Sequence, residues 1–186
     1  MPVEFFSYAS MLSHLRRLLA EREFRTVGIE GHMAAGKTHL SKQLAHDLKG
    51  DHIENDNFTF AMLDPDFLRD RSKNESYVQC INLDRLATKF TTALAESALV
   101  IVEGICLRDV LTRIDRQADI FVYVKSVSRI SRIWRRAIDL EDYKTGREKF
   151  RDLPFDELEY HSRVRPQDKA DLLLTVMDEP TAEPPS

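Results

Sequence analysis

A short segment near the start of the chain has the residue types and the spacing of a phosphate-binding turn. It fits the pattern G-x-x-x-x-G-K-[ST] in full, with Gly31, His32, Met33, Ala34, Ala35, Gly36, Lys37 and Thr38. The glycines let the backbone curl so that N–H groups point at phosphate oxygens, and the helix that follows adds its positive N-terminal end. Lys37 would then reach the β and γ phosphates, and the Thr38 hydroxyl would ligate Mg²⁺. The pattern predicts that the whole segment binds ATP with Mg²⁺; the alternative is a tight turn without a ligand.

Two carboxylates follow apolar segments at the end where parallel sheets bind ligands. Glu103 ends the clearest apolar segment, residues 99–103, and Gly104 after it is expected to leave room beside the phosphates. Asp56 follows a weaker strand near residues 52–53, where an acid can accept the proton of a substrate hydroxyl. We predict that Glu103 and Asp56 lie at the metal and the substrate. Glu54 competes with Asp56 for this role, and a turn or a solvated carboxylate is the alternative for each.

Arginines are concentrated in one segment of a chain that is acidic overall. Residues 125–136 carry five basic side chains and no acidic one. Arginines on a mobile lid neutralise the charge that develops during phosphoryl transfer and help to exclude water. We predict that Arg132 and Arg136 act in catalysis and that Arg129 and Arg132 bind the nucleotide, on a helix. The core-facing positions of that helix would be Ile130, Ile133, Trp134, Ala137 and Ile138. A solvated basic face is the alternative.

The segments that must position these residues are of two kinds, short apolar segments typical of strands and segments with apolar residues at helical spacing, and the two kinds alternate along the chain. Short apolar segments predict strands at residues 25–30, 52–53, 99–103, 119–124 and 170–176, and helical spacing predicts helices in residues 11–19, at 37–49 and after Asn82. This alternation indicates an α/β protein with three layers, α/β/α, around a central, mainly parallel, five-stranded sheet. We expect an N-terminal helix on the core (1–24), one catalytic domain (25–177) and a disordered tail (178–186). A flap at about 55–80 and a lid at about 128–150 belong to the domain, and the acidic residues 152–159 are expected to be solvated.

The composition excludes several classes of protein. The chain has 186 residues, a formal net charge of -4 and only two cysteines, so we expect one domain without disulfides in the reducing cytoplasm. No segment approaches the roughly 20 apolar residues that span a bilayer, and the acidic balance argues against duplex nucleic acid as a partner. Homo-oligomer formation is left open. The seven-residue spacing of His32, His39 and His46 is too wide for one zinc ion.

An ordered series of motifs resembles the uridine kinase and related small-molecule kinase family of the P-loop NTPases. The series covers residues 25–176 and consists of the phosphate-binding turn, Asp56-Asn-Phe58, the Glu-Gly strand end at 103–104, residues 118–124, Arg129-Ile-x-Arg132-x-x-x-Arg136 and residues 164–172. The resemblance implies that Lys37 and Thr38 bind ATP and Mg²⁺, that Asp56 is the base and that Glu103 lies near the metal. It also implies that Arg132 and Arg136 are lid arginines on the phosphates.

The chain departs from the family at the acceptor side. Thr59 stands where the family has Tyr, Ala137 replaces an acid, and residues 57–81 show no counterpart to the nucleoside-recognition segment. We predict that the acceptor site is lined by Asp56, Phe58, Tyr77, Glu103 and Arg108. The preferred hypothesis is an ATP-dependent kinase acting on a hydroxyl of a small molecule, such as a nucleoside or a sugar-like alcohol. The alternatives are a nucleotide-gated switch, a non-catalytic ATP-binding regulator, or a kinase for a nucleotide or a nucleic-acid end.

Overall fold

A computed structural model describes residues 1–21, 24–60, 76–134, 136–146 and 153–177. Its centre is a 6-stranded sheet of the order β1-β6-β5-β2-β4-β3, in which every neighbouring pair is parallel. The strands are β1 (Val3–Phe5), β2 (Thr26–Gly31), β3 (Asp51–Glu54), β4 (Val100–Glu103), β5 (Ile120–Val127) and β6 (Leu172–Met177). The five strands that the sequence predicts are all present.

The described residues form seven α-helices, which connect the strands and flank the sheet. They are α1 (Tyr8–Glu21), α2 (Lys37–Leu48), α3 (Leu83–Glu96), α4 (Leu107–Arg113), α5 (Arg136–Thr145), α6 (Leu153–Val164) and α7 (Pro166–Lys169). Two single 3₁₀ turns, at Asn55–Phe58 and Tyr77–Cys80, lie at the two ends of the predicted flap. The middle of the flap (61–75), residues 147–150 of the predicted lid and the tail predicted to be disordered (178–186) lie outside the described residues.

The apolar core has two halves because successive strand residues face opposite sides of the sheet. In β4, Ile101 packs with the helices α1 and α2, whereas Val100 and Val102 pack with α3, α4 and α6. Both faces of the sheet are therefore covered by helices, which confirms the three-layer α/β/α prediction. In this arrangement the carboxyl ends of β2, β3 and β4 lie side by side.

The predicted number of five strands is wrong, because β1 adds a sixth. This short strand at the sheet edge pairs only with β6, through Val3 and Leu172, Glu4 and Leu173, and Phe5 and Leu174. Segment 1–24 therefore contributes a strand as well as the predicted helix. A strand of 3 residues is too short for an alternation of apolar and polar side chains to be recognised in the sequence.

The predicted helix across the arginine segment is also wrong at its start. Residues 129–131 form a turn, Trp134 pairs with Val127 in an isolated bridge, and α5 begins only at Arg136. The turn is closed by backbone hydrogen bonds from Arg132 N to Ser128 O and from Ser128 N to Ile133 O. Arg132 has a φ of 59°, a left-handed conformation that a helix cannot include.

Three of the five residues expected to face the core are exposed: Ile130 and Ile133 in the loop closed by these bonds, and Ile138 on α5. Ile130 is 95% exposed, Ile138 62% and Ile133 47%, so these three residues do not face the core. Trp134 does pack inward, against Tyr123.

No helix in the described parts of the chain combines the length and the apolar character needed to cross a bilayer.

Candidate active site

The predicted phosphate-binding turn connects the buried strand β2 to helix α2. β2 ends at Gly31 and α2 begins at Lys37. Two residues of the turn have left-handed backbones, Ala34 with φ 61° and Gly36 with φ 92°. Gly31 lies so close to β5 that a Cβ atom there would be 2.7 Å from the carbonyl oxygen of Val124. The first glycine of the pattern is therefore required by strand packing, and the second by the backbone conformation.

Lys37 is buried at the first turn of α2. Its side chain is aimed back into the turn, where Nζ donates a hydrogen bond to the carbonyl oxygen of His32 at 3.0 Å. Burial lowers the pKa of Lys37, and the carboxylates of Glu103 and Glu157 oppose that effect. A cation held inside the turn in this way is available to an anion that the turn binds.

Glu103 and Thr38 meet at the carboxyl end of the sheet. Glu103 pairs in register with Ile29 of β2, which brings its carboxylate to α2, and Thr38 Oγ1 donates a hydrogen bond to Glu103 Oε1 at 2.7 Å. Glu103 is 2% exposed. Burial raises its pKa, and the Thr38 hydroxyl and the Lys37 ammonium oppose that shift.

The Thr38 hydroxyl and the Glu103 carboxylate form an oxygen donor pair of the kind that Mg²⁺ takes from a protein. Mg²⁺ uses one or two such ligands and fills its octahedron with water and substrate phosphates. Among the described residues no group of three or more His, Cys, Asp or Glu side chains converges, so a metal cage made by the protein alone is not found there. The donor set fits a metal that is shared with phosphates.

Asp56 lies on the 3₁₀ turn that directly follows β3, and it is exposed. Its Oδ1 accepts a hydrogen bond from the Tyr77 hydroxyl at 2.5 Å. Tyr77 is 4% exposed, and its pKa is raised well above 10 by burial and by the Asp56 carboxylate. Two residues that the sequence predicts for the acceptor side are thus in direct contact, although they are 21 positions apart in the chain.

Phe58 and Arg108, which are also predicted to line the acceptor site, contact the body of the protein. Phe58 is partly buried against the apolar core, and the Arg85 guanidinium lies 5.8 Å from the centre of its ring. Arg108 Nε donates to Glu30 Oε2 at 2.9 Å, and its guanidinium lies 3.6 Å from the ring centre of Phe121. Their role at an acceptor stays a prediction.

Gly104 does not leave the open space that the sequence analysis assigns to it. A Cβ atom at this position would be 2.7 Å from Asn55 Nδ2. Asn55 is fully buried beside it, and neither polar atom of its side chain has a hydrogen-bond partner within the part of the chain that the structure describes. The glycine is required because the side chain of Asn55 occupies that space.

The lid arginines have different environments. Arg136 is partly buried, donates to Asp139 Oδ2 at 2.7 Å, and places Nε 3.4 Å from Glu157 Oε1. Arg132 is exposed and contacts the sulfur of Met177 at 3.4 Å, at the end of β6. Arg129 is exposed in the turn that precedes Arg132.

Sequence reasoning missed Glu157. Residues 152–159 read as a solvated acidic segment, yet Glu157 is 1% exposed, and its Oε2 accepts the backbone N–H of Met33 at 3.1 Å. Burial of this carboxylate depends on how α6 packs on the phosphate-binding turn. The one sequence signal is the helical spacing of Glu157 with the buried residues Tyr160, His161 and Val164.

Comparison with known proteins is informative only at the level of structure. No protein-family model and no curated sequence matches this chain. Among solved structures, the chain is similar to a "possible uridine kinase" from Bacillus stearothermophilus, with 16% identity over 89% of this chain and 98% of that one and a TM-score of 0.54. A thymidylate kinase from Ehrlichia chaffeensis matches with 13% identity over 83% of this chain and 90% of that one (TM-score 0.49).

A shikimate kinase from Acinetobacter baumannii also matches, with 16% identity over 89% of this chain and 88% of that one (TM-score 0.44). At these identities the likeness concerns the fold. The parallel sheet and the turn between β2 and α2 agree with the resemblance seen in the sequence. The chain has the α/β fold of the possible uridine kinase.

Proposed function

We propose that the protein is an ATP-dependent phosphotransferase that moves the γ-phosphoryl group to a hydroxyl of a small molecule, most simply a nucleoside or a sugar-like alcohol. The observation that carries the proposal is the convergence of the phosphate-binding turn, the Thr38–Glu103 oxygen pair and Asp56 at one end of the sheet. Lys37 is directed into the same turn. A nucleotide-binding regulator would need the turn but not a carboxylate at the acceptor side.

ATP with Mg²⁺ supplies the phosphoryl group and neutralises charge on its oxygens. The backbone of residues 31–38 would bind the phosphates, and Lys37 would orient the β and γ groups. Thr38 and Glu103 would hold the metal or its water shell. Arg136 reaches this region through Glu157, so it is the lid arginine that the described contacts favour for the phosphates. Nucleotide contacts of Arg129 and Arg132 are proposed on the family pattern alone.

Asp56 would take the proton from the acceptor hydroxyl while that oxygen bonds to the γ phosphorus and the bond from phosphorus to the bridging oxygen of ADP breaks. Its exposure supports this role, since an acceptor must reach the carboxylate. Tyr77 donates to the same carboxylate and therefore orients it. The acceptor would lie between this pair and the phosphate-binding turn.

The test is an acceptor screen with purified protein, Mg²⁺ and ATP, in which ADP release is measured across nucleosides, sugars and other alcohols. We expect release that depends on one class of acceptor, and loss of that release in Lys37→Ala. Lys42→Ala is the matched control, because Lys42 lies on the same helix with an exposed side chain. Nucleotide hydrolysis with GTP preference and no acceptor dependence would favour the nucleotide-gated switch instead.

The two cysteines, Cys80 and Cys106, are free and buried, which is compatible with the reducing cytoplasm proposed for the protein.

A further inference from the structure

A buried carboxylate lies on the phosphate-binding turn. Glu157 belongs to α6, far along the chain from the turn, and its Oε2 accepts the backbone N–H of Met33 at 3.1 Å. Met33 is one of the residues between the two glycines of the turn, whose N–H groups the pattern assigns to phosphate oxygens. One amide of the turn is therefore bound to an anion that the protein itself supplies.

The same carboxylate is bound by the lid. Arg136 Nε forms an ion pair with Glu157 Oε1 at 3.4 Å, without the geometry of a hydrogen bond, and another nitrogen of the same guanidinium donates to Asp139 Oδ2. The Lys37 ammonium also interacts electrostatically with Glu157. A turn amide, a lid arginine and the lysine of the turn are the three kinds of group that the proposed function assigns to phosphates. Glu157 thus has the surroundings of a bound phosphate oxygen.

Helix α6 holds Glu157 in this position through contacts one turn further along. The His161 ring donates from Nδ1 to the Glu157 carbonyl at 2.7 Å, and its Nε2 lies 2.8 Å from the Tyr123 hydroxyl of β5. Tyr160 donates to the buried Glu30 of β2. The helix is therefore attached to two central strands, so that its carboxylate is presented to the turn by the rigid part of the fold.

We infer that Glu157 is a positioning residue of the phosphate site: it holds the Met33 amide and the Arg136 guanidinium as an internal anion and yields both to the phosphates of the nucleotide. The inference rests on the proposed role of the turn as a nucleotide site. A carboxylate and a polyphosphate cannot share these partners, because like charges a few ångströms apart in a buried site strongly disfavour each other. Glu157 therefore competes with the phosphates, and its charge sets how tightly they bind.

Protonation of Glu157 would relieve the competition, so phosphate binding by the wild-type protein should weaken as pH rises through the pKa of this carboxyl. Burial raises that pKa, and Arg136, the Met33 amide and Lys37 oppose the shift. Within the part of the chain that the structure describes, other titratable groups that interact with Glu157 are Asp139 of α5, His161 of α6, Tyr123 of β5 and Cys106.

The test compares Glu157→Gln with the wild type in direct binding of inorganic tripolyphosphate, of ATP and of adenosine. Glutamine keeps the size of the side chain and an oxygen for the Met33 amide but removes the charge. We expect tripolyphosphate and ATP to bind about tenfold more tightly to the variant, which is the scale of one hydrogen bond to a charged group, while adenosine binds equally. Glu159→Gln, an exposed position on the same helix, is the matched control and should leave all three affinities unchanged.

Two further measurements distinguish the proposed role of Glu157 from a role in protein stability alone. The ratio of the wild-type to the variant dissociation constant should grow with pH, because the titration of the phosphates themselves cancels in that ratio. In turnover, the KM for ATP should fall in Glu157→Gln while kcat stays within about twofold. Equal or weaker tripolyphosphate binding by the variant would overturn the inference and leave the proposed kinase untouched, whereas failure of both proteins to bind ATP or tripolyphosphate would overturn both.

A measurement on the wild type avoids any folding defect of the variant. The Met33 amide and the Arg136 Nε–H give separate resonances in proton–nitrogen spectra, and both should shift when tripolyphosphate is added. The Arg25 Nε–H serves as the internal reference, because Arg25 precedes β2 at the opposite end of the sheet, where its guanidinium donates to the carbonyl oxygen of Ser97. If tripolyphosphate binds while both Met33 and Arg136 resonances stay in place, the exchange does not occur.

Discussion

At the scale of single residues, the two carboxylates proposed for the chemistry have opposite environments. Asp56 is exposed and accepts a hydrogen bond from Tyr77, whereas Glu103 is 2% exposed and hydrogen-bonded to Thr38. Different environments allow two carboxylates to perform different tasks in one site. The exposed group is suited to a proton of the acceptor, and the buried group to the metal.

Replacement of Asp56 by Asn should therefore lower kcat by at least about 100-fold, since general-base catalysis contributes that much or more. ATP affinity should not change, because Asp56 is assigned to the acceptor. Steady-state kinetics and ATP binding on the same preparation provide the two readouts. The control is Glu54→Gln, which removes the competing carboxylate, paired with Lys42 at 3.6 Å. If Glu54→Gln loses activity and Asp56→Asn retains it, the base is Glu54.

Replacement of Glu103 by Gln should weaken the apparent affinity for Mg²⁺ by about tenfold or more. The amide oxygen can still accept the hydrogen bond of Thr38, so the local packing is kept and the charge alone is lost. The readout is the Mg²⁺ dependence of activity at saturating ATP. An unchanged Mg²⁺ dependence would show that Glu103 does not act near the metal.

Sequence reasoning reached some of these residues and missed others for a physical reason. Lys37, Thr38 and Glu103 can be predicted from local sequence patterns, because a phosphate-binding turn and the end of a strand are recognised without knowledge of distant contacts. Glu157 owes its burial to contacts with Met33 and Arg136, which are remote in the chain. Helical spacing places Glu157 on the face of Tyr160, His161 and Val164, away from the exposed Glu159, but it cannot show which distant groups the carboxylate contacts.

At the scale of elements, α6 connects the phosphate-binding turn to the sheet. Its attachments are the buried hydrogen bonds of His161 to Tyr123 and of Tyr160 to Glu30, and Glu30 also binds Arg108.

Element boundaries were predicted well where the apolar period is strong, as in β4. They were predicted poorly where a single backbone conformation decides, as at Arg132, whose left-handed φ of 59° ends any helix before Arg136.

The burial of His161 makes stability depend on pH. Burial lowers the pKa of His161 from 6.5 to about 4, so the unfolded chain binds a proton in this range that the folded chain does not. The free energy of unfolding therefore falls as pH is lowered from about 6.5 to about 4, by up to about 3 kcal/mol from this group. Urea unfolding of the wild type and of His161→Asn across this range should show a smaller loss in the variant. Equal losses would mean that His161 is not held neutral.

Helix α4 offers a second test at this scale. Arg108 binds the buried carboxylate of Glu30 and lies over the ring of Phe121. Arg108→Ala leaves that carboxylate without its cation, and removal of one partner of a buried pair costs about 3 to 5 kcal/mol. The free energy of unfolding from urea titration is the measurement. A loss below about 1 kcal/mol, together with a raised KM for the acceptor, would instead support the predicted acceptor role of Arg108.

At the scale of the whole molecule, one parallel sheet brings residues from distant segments to a single end. In the order β5-β2-β4-β3, the turn after β2 lies at the same end of the sheet as the ends of β4 and β3. Lys37, Glu103 and Asp56 therefore lie at one end of the sheet, each directly after or at the end of its own strand or turn. The alternation of strands and helices was enough to predict a mainly parallel sheet covered by helices, but not the number or the order of its strands. The edge strand β1 was missed because only its pairing with β6 defines it.

Nucleotide binding should stabilise the whole fold. A ligand at 100 times its dissociation constant adds about 2.7 kcal/mol, which for a chain of this size raises Tm by about 5 to 10 °C. We expect this shift with ATP and Mg²⁺ in the wild type and in Lys42→Ala, and a much smaller one in Lys37→Ala. A larger shift with GTP than with ATP would favour the nucleotide-gated switch.

In the proposed reaction, a hydroxyl oxygen of a small molecule attacks the γ phosphorus. An acceptor from the screen whose hydroxyl carries ¹⁸O can be incubated with ATP, Mg²⁺ and the protein, and the product analysed by mass spectrometry. We expect a phosphorylated acceptor that retains the label in its bond to phosphorus, formed by the wild type and not by Lys37→Ala. Release of inorganic phosphate alone, with every acceptor recovered unchanged, would contradict it.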